Sequence, residues 1–90
     1  MEKINITEES LPILKSGIVL KQKILELKAK DYQKRKKMFE EKHGMKSSKF
    51  VKEYKSGQLG DDEEWLDWLF VHEAYSKIIK QKKIIEELLV

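Results

Sequence analysis

Five acids within seven residues, Asp61, Asp62, Glu63, Glu64 and Asp67, form the densest set of potential ligands in this 90-residue chain. Oxygen ligands of this kind suit magnesium or calcium. The alternating ligand spacing of an EF-hand loop, with glycine at its sixth position, is missing. Helix N-termini attract acids through the macrodipole without any ion, so the cluster reads first as a helix start and no metal is expected on it. The two histidines, His43 and His72, are distant in sequence, but a helical hairpin would bring both towards the acidic corner. There Asp67 or Glu73 could raise a histidine pKa, and two histidines with carboxylates would make a metal or acid–base site. The simpler expectation is one histidine at a helix end and another filling a partly buried helix position. No nucleophile elbow, phosphate-binding loop, dinucleotide fingerprint or HExxH occurs. Ser47, Ser48 and Ser56 have no adjacent base to activate them. Neither catalytic residues nor a cofactor are expected, and the chain reads as a non-enzyme.

The run Lys34-Arg35-Lys36-Lys37, with Lys28 and Lys30 upstream, could make salt-sensitive contacts with nucleic-acid phosphates. Successive residues on a helix point in different directions, so this run would wrap the helix rather than form one stripe. A solvated helix whose lysines pair with acids elsewhere is the competing reading. A helix-turn-helix is excluded by the four acids that would open its recognition helix, which phosphates repel.

Both sets of residues depend on the elements that carry them. Residues 1–7 alternate Ile4 and Ile6 with polar residues and read as extended. Thr7 to Ser10 supply N-cap candidates, and Pro12 suits a first helical turn. A long helix over 11–43 follows, an extension over 1–10 preceding it. Leu11, Leu14, Ile18, Leu25, Ala29, Tyr32 and Phe39 share one of its faces, while Ile13, Leu20, Ile24, Leu27 and Met38 share another. One hairpin partner covers only one face, so the second argues for a dimer, against a chain end folding back over it. Gly44 reads as a left-handed stop. Ser47 or Ser48 would cap a short helix over 47–56, its inner face Phe50, Val51 and Tyr54, and Gly57 would end it. A third helix over 61–89 would begin at Asp61 or Asp62, with Asp61 and Glu64 at capping-box spacing. Trp68, Val71, Tyr75, Ile78, Lys82, Ile85 and Leu89 follow at coiled-coil spacing, and Leu66, Phe70, Ile84 and Leu88 form a second stripe. The expected fold is all-α: two long antiparallel helices joined by a short one, dimerising as a coiled-coil or four-helix-bundle-like assembly.

Composition agrees. Charged residues make up 39% of the chain, with one proline and no cysteine, so neither a disulfide nor a thiolate metal site is available. Enrichment in Lys, Glu and Ile resembles heat-adapted proteins. No apolar run is long enough to cross a bilayer, and Met1 to Asn5 lack the features of a secretory signal, so the cytoplasm is the expected compartment. The net charge of +3 hides a division: fourteen bases against five acids over residues 11–55, and six acids with no lysine or arginine over 56–75. A basic arm beside an acidic corner suggests pairing within the chain or between subunits.

His43-Gly44-Met45, Ser47 with Phe50, Gly57-Gln58-Leu59-Gly60-Asp61-Asp62, and Trp68 together carry a resemblance. The stretch from Tyr32 to Trp68, about half the chain, resembles small archaeal and bacterial proteins described as antitoxin-like. Those place Glu before the tryptophan where this chain has Asp67. The resemblance implies a small non-catalytic protein that binds a protein partner, as one member of a toxin–antitoxin pair whose other member is encoded nearby. From the residues themselves, Asp61, Asp62, Trp65 and Trp68 are the expected acidic-aromatic surface for a basic protein partner.

Overall fold

The computed structural model describes residues 7–89. The reading of residues 1–6 as extended therefore lies outside the described residues. Three helices follow in order: α1 (Leu11–His43), α2 (Ser47–Lys55) and α3 (Glu63–Leu89). Among the described residues there is no strand, and no helix is long and apolar enough to cross a membrane.

Local chemistry sets the helix ends. Ahead of α1, the Thr7 N–H donates to Ser10 Oγ (2.8 Å) and the Ser10 N–H to Thr7 Oγ1 (3.3 Å), a reciprocal pair that works as a capping box one turn upstream. Gly44 stops the helix at φ 60°, and the N–H groups of Gly44 and Met45 both return to the Glu40 carbonyl. The short helix ends in a Schellman turn: Gly57 sits at φ 78°, its N–H reaching Tyr54 O and that of Gln58 reaching Glu53 O.

Two expected caps are corrected. The start of α2 is not capped by a serine hydroxyl; its first N–H, from Ser47, donates to the Glu40 carboxylate at 2.7 Å. An anion from the preceding helix therefore sits on the positive end of α2. The third helix begins at Glu63, and Asp62 rather than Asp61 caps it, Oδ1 accepting from the Glu64 N–H at 3.0 Å.

α1 and α3 pack antiparallel. Phe39 faces Trp68 and His43 faces Glu64, so facing residue numbers add to about 107. The shaft between them is aliphatic, with Leu25, Ala29, Ile78 and Ile85 buried and Ile18, Tyr32 and Tyr75 packed against them. Lys82, the one polar member of the α3 seam, is only partly buried there. At 1.5 Å per residue α1 is about 50 Å long and α3 about 40 Å. Leu89 lies level with Ile18, and nothing in α3 stands opposite the first two turns of α1. That is why Leu11 and Leu14 are exposed although they continue the inner stripe.

Replacing Gly44 isolates the conformational term, because a Cβ there would meet nothing within 4 Å. We expect Gly44→Ala to destabilise the protein by about 1 kcal/mol and Gly44→Asn by less. Urea unfolding followed by circular dichroism measures both.

Candidate functional site: the aromatic corner

Where the three helices meet, Trp68 is fully buried. Its ring stacks on Phe50 of α2 (centroids 4.0 Å, 2° between planes) and lies nearly parallel to Phe39 (5.6 Å, 9°) and His43 (5.3 Å, 18°) of α1. Its Nε1–H donates to Ser47 Oγ at 2.9 Å, and Ser47 is itself fully buried. The serine expected to cap α2 thus spends its hydroxyl on the indole. Trp65, half-buried beside His43 and Phe50, donates its Nε1–H to the Leu59 carbonyl at 3.1 Å. That bond ties the 56–62 connection to α3.

Of the expected acidic-aromatic surface, Asp61 and Asp62 are exposed and Trp65 is at the margin, whereas Trp68 lies in the core and offers no surface. Asp62 is engaged as a helix cap, which leaves exposed Asp61 and partly exposed Trp65.

Glu64 is the acid that the hairpin brings into play. Lys42 Nζ donates to its Oε1 at 2.9 Å, and His43 Nε2 lies 3.2 Å from the same oxygen. These two partners, Lys42 first, hold the Glu64 carboxyl below the usual glutamate range. One lysine of the basic arm therefore does reach the acidic corner. The histidines do not form a joint site. His43 stacks in the corner, while His72 is half-buried elsewhere on α3 and its Nδ1 has no hydrogen-bond partner. The expectation that a neighbouring acid raises a histidine pKa is corrected for His72. Burial, then Lys36, pushes it down, and Glu73 and Glu40 oppose this only in part. Among the described residues, no group of three or more His, Cys, Asp or Glu is placed to hold a metal ion.

The basic run wraps α1. Lys28, Lys30, Lys34 and Lys37 are exposed, Arg35 pairs with Asp31 at 3.2 Å, and Lys36 turns inward over the Tyr75 ring at 5.1 Å. Lys30, Lys34 and Lys37, spaced i, i+4 and i+7, share one exposed face of α1, while Lys28 and Lys36 point elsewhere.

Sequence reasoning missed a larger feature, the relation between the two second stripes. Met38 of α1 and Phe70 of α3 line one open groove of about 930 Å³, together with Arg35, Lys42 and Asp67. Tyr32 also meets Phe70 edge-on at 6.2 Å. The two stripes therefore lie on the same side of the hairpin. On α3, Trp65 and Trp68 point roughly opposite to Leu66 and Phe70 at about 100° per residue, so α2 covers the other side. One side is left bare: Ile13, Leu20, Ile24, Leu27 and Met38 from α1, and Leu66, Phe70, Ile84 and Leu88 from α3, each 38–73% exposed. The signal was in the sequence as two surplus stripes. Their alignment required the packing of α2.

Comparison with known protein families, curated proteins and solved structures gives no match for this chain.

Two outcomes follow from this geometry. Ser47→Ala leaves the indole N–H of Trp68 buried without a partner, and we expect a loss of about 1–3 kcal/mol in denaturant unfolding. In a Trp68→Phe background, where no donor remains, the same substitution should cost much less. The second outcome concerns pH. The folded state holds His72 below the ordinary histidine value of about 6.5, so the unfolded chain binds more protons just beneath that pH. Stability should fall as pH drops from about 6.5 towards the lowered value. His72→Gln should remove that step, leaving the loss below the glutamate range to which Glu64 contributes. Thermal unfolding across pH 4–8 checks both.

Proposed function

We propose that the protein is a non-enzymatic helical interaction module, one that pairs with a second copy of itself and offers its acidic corner to a basic protein partner. The observation that carries this reading is the bare side of the hairpin. Nine large apolar side chains on that side are each 38–73% exposed, in two pads with Asp31, Lys34, Glu73 and Lys77 between them. Clusters of exposed apolar side chains rimmed by polar residues mark interaction surfaces. Covering this band with a second hairpin makes a four-helix bundle, the arrangement in which such stripes are normally buried.

Partner binding rests on the corner. Asp61 stands on a connection pinned to α3 by the Trp65 indole bond to Leu59, so the acid and the partly exposed Trp65 ring are presented in a fixed shape. The antitoxin-like resemblance of the Tyr32–Trp68 stretch is consistent with a partner encoded by a neighbouring gene.

Light scattering at micromolar concentration should give twice the 10.7 kDa chain mass. Leu27→Lys and Ile84→Lys place charge in the band at exposed positions, and each should give a monomer of unchanged helix content. A wild-type monomer at that concentration would sink the pairing. For the corner, Asp61→Lys should weaken capture of the neighbouring-gene product by about tenfold at unchanged melting temperature, since one exposed charge near an interface is typically reversed at a cost of about 1 kcal/mol or more.

A further inference from the structure

We infer that the outer face of α2, with the adjoining face of α1, binds the phosphate backbone of a nucleic-acid duplex without regard to sequence. This surface lies away from the bare side of the hairpin and does not depend on self-association.

The inner residues of α2, Ser47 and Phe50, are buried against Trp68. At about 100° per residue, Lys49, Lys52 and Lys55 span roughly 120° of the opposite side, centred about 160° from Phe50. Ser48 lies among them, and all four are exposed. The basic face continues onto α1. Lys46, at the start of α2, and Lys37 line one shallow cleft, and Lys37 shares its face of α1 with Lys30 and Lys34. Over residues 30–55 the chain has ten lysines and arginines against four acids. Three of those acids are already engaged: Asp31 with Arg35, Glu40 with the Ser47 N–H, and Glu53 with Lys49 at 4.0 Å. Glu41 is the fourth, exposed beside Lys37.

The make-up of the face selects the partner. Protein interfaces are anchored by aromatic and apolar side chains and are poor in lysine and serine. The face of α2 is lysine and serine, and the helix has no exposed large apolar side chain. Lysine and serine are side chains that contact phosphates. A membrane surface takes up a helix whose apolar face is free to enter the lipid, whereas that face of α2 is packed on Trp68. Single strands are held by aromatic rings on which bases stack, and here Phe50 is fully buried. A duplex presents a dense row of phosphates and asks for cations alone. The free N–H at the start of α2 is occupied by Glu40, so the lysine side chains make the contact. Because α2 covers the other side of the hairpin, its outer face stays open when a second copy packs on the bare side.

Fluorescence anisotropy with a DNA duplex of about 20 base pairs tests this. The full chain should bind in the micromolar range at about 50 mM salt, and equally to a second, unrelated sequence. Four phosphate contacts give a slope of about −3.6 in log affinity against log salt, a loss of about 150-fold between about 50 and 200 mM. Lys49→Gln, Lys52→Gln and Lys55→Gln together should weaken binding about tenfold or more and make the slope shallower by about 2.7. Helix content by circular dichroism should not change. Arginine at the same three positions keeps the charge and should bind within about twofold of the parent. Lys15→Gln, Lys21→Gln and Lys80→Gln together remove as much charge from exposed positions away from α2. That set should also bind within about twofold of the parent. No binding at about 50 mM salt and 100 μM protein, or equal losses from the two glutamine sets, overturns the inference. Displacement of the duplex by polyglutamate at equal charge overturns it in favour of an acidic protein. Tighter binding to phosphatidylserine vesicles than to the duplex overturns it in favour of a membrane.

Discussion

Three helices are held in one body by a single ring. Trp68 of α3 stacks on Phe50 of α2 and lies against Phe39 and His43 of α1, and its one polar atom is satisfied by Ser47. A nine-residue helix such as α2 has no independent stability, since isolated helices below about 12 residues are marginal in water. It persists because Phe50 supplies apolar area to the indole and because Ser47 completes the bond that the buried N–H requires. The rest of the corner follows. The left-handed turn at Gly44 must bring Ser47 under Trp68, the Glu40 carboxylate must then reach the Ser47 N–H, and the 56–62 connection must return in time for Trp65 to hold Leu59.

The electrostatics support that framework more than they suggest chemistry. Glu40 sits on the start of α2, Asp62 on the start of α3, and Glu64 between Lys42 and His43. Each carboxylate sits at a helix N-terminus or beside a cation. Of the acids that looked from their spacing like a ligand cluster, Asp62 and Glu64 are therefore given to separate structural duties. His43 is held by stacking and by Glu64, and His72 is kept away from it.

A consequence of covering one side of the hairpin with α2 is that the other side stays open. A bundle of two long helices has two broad faces, and one short helix at the corner reaches only part of one. The uncovered band joins the surplus stripes of α1 and α3, and the unopposed first turns of α1 extend it past the end of α3. The arrangement has the form of half a bundle, and it supports a reading of the protein as an interaction module built around self-association.

Helix periodicity, the two glycine stops and the 3,4 spacing of the α3 seam are local properties, and each was legible in the chain. The order and approximate ends of α1, α2 and α3 follow from them, because φ/ψ preferences and the recurrence of apolar residues act over a few residues at a time. The role of Ser47 was not legible. A serine at a helix start usually caps its own helix, and only the arrival of Trp68, 21 positions later, redirects its hydroxyl. The same reason removed Trp68 from the surface where its neighbours Asp61 and Trp65 had placed it. Exposure of Leu11 and Leu14 likewise could not be read from the stripe they continue, since it depends on where α3 ends relative to α1. The sequence by itself determined the elements and their apolar faces. Tertiary structure alone decided which faces met, which acids found which partners and which side of the hairpin was left bare, because those outcomes depend on contacts between residues far apart in the chain.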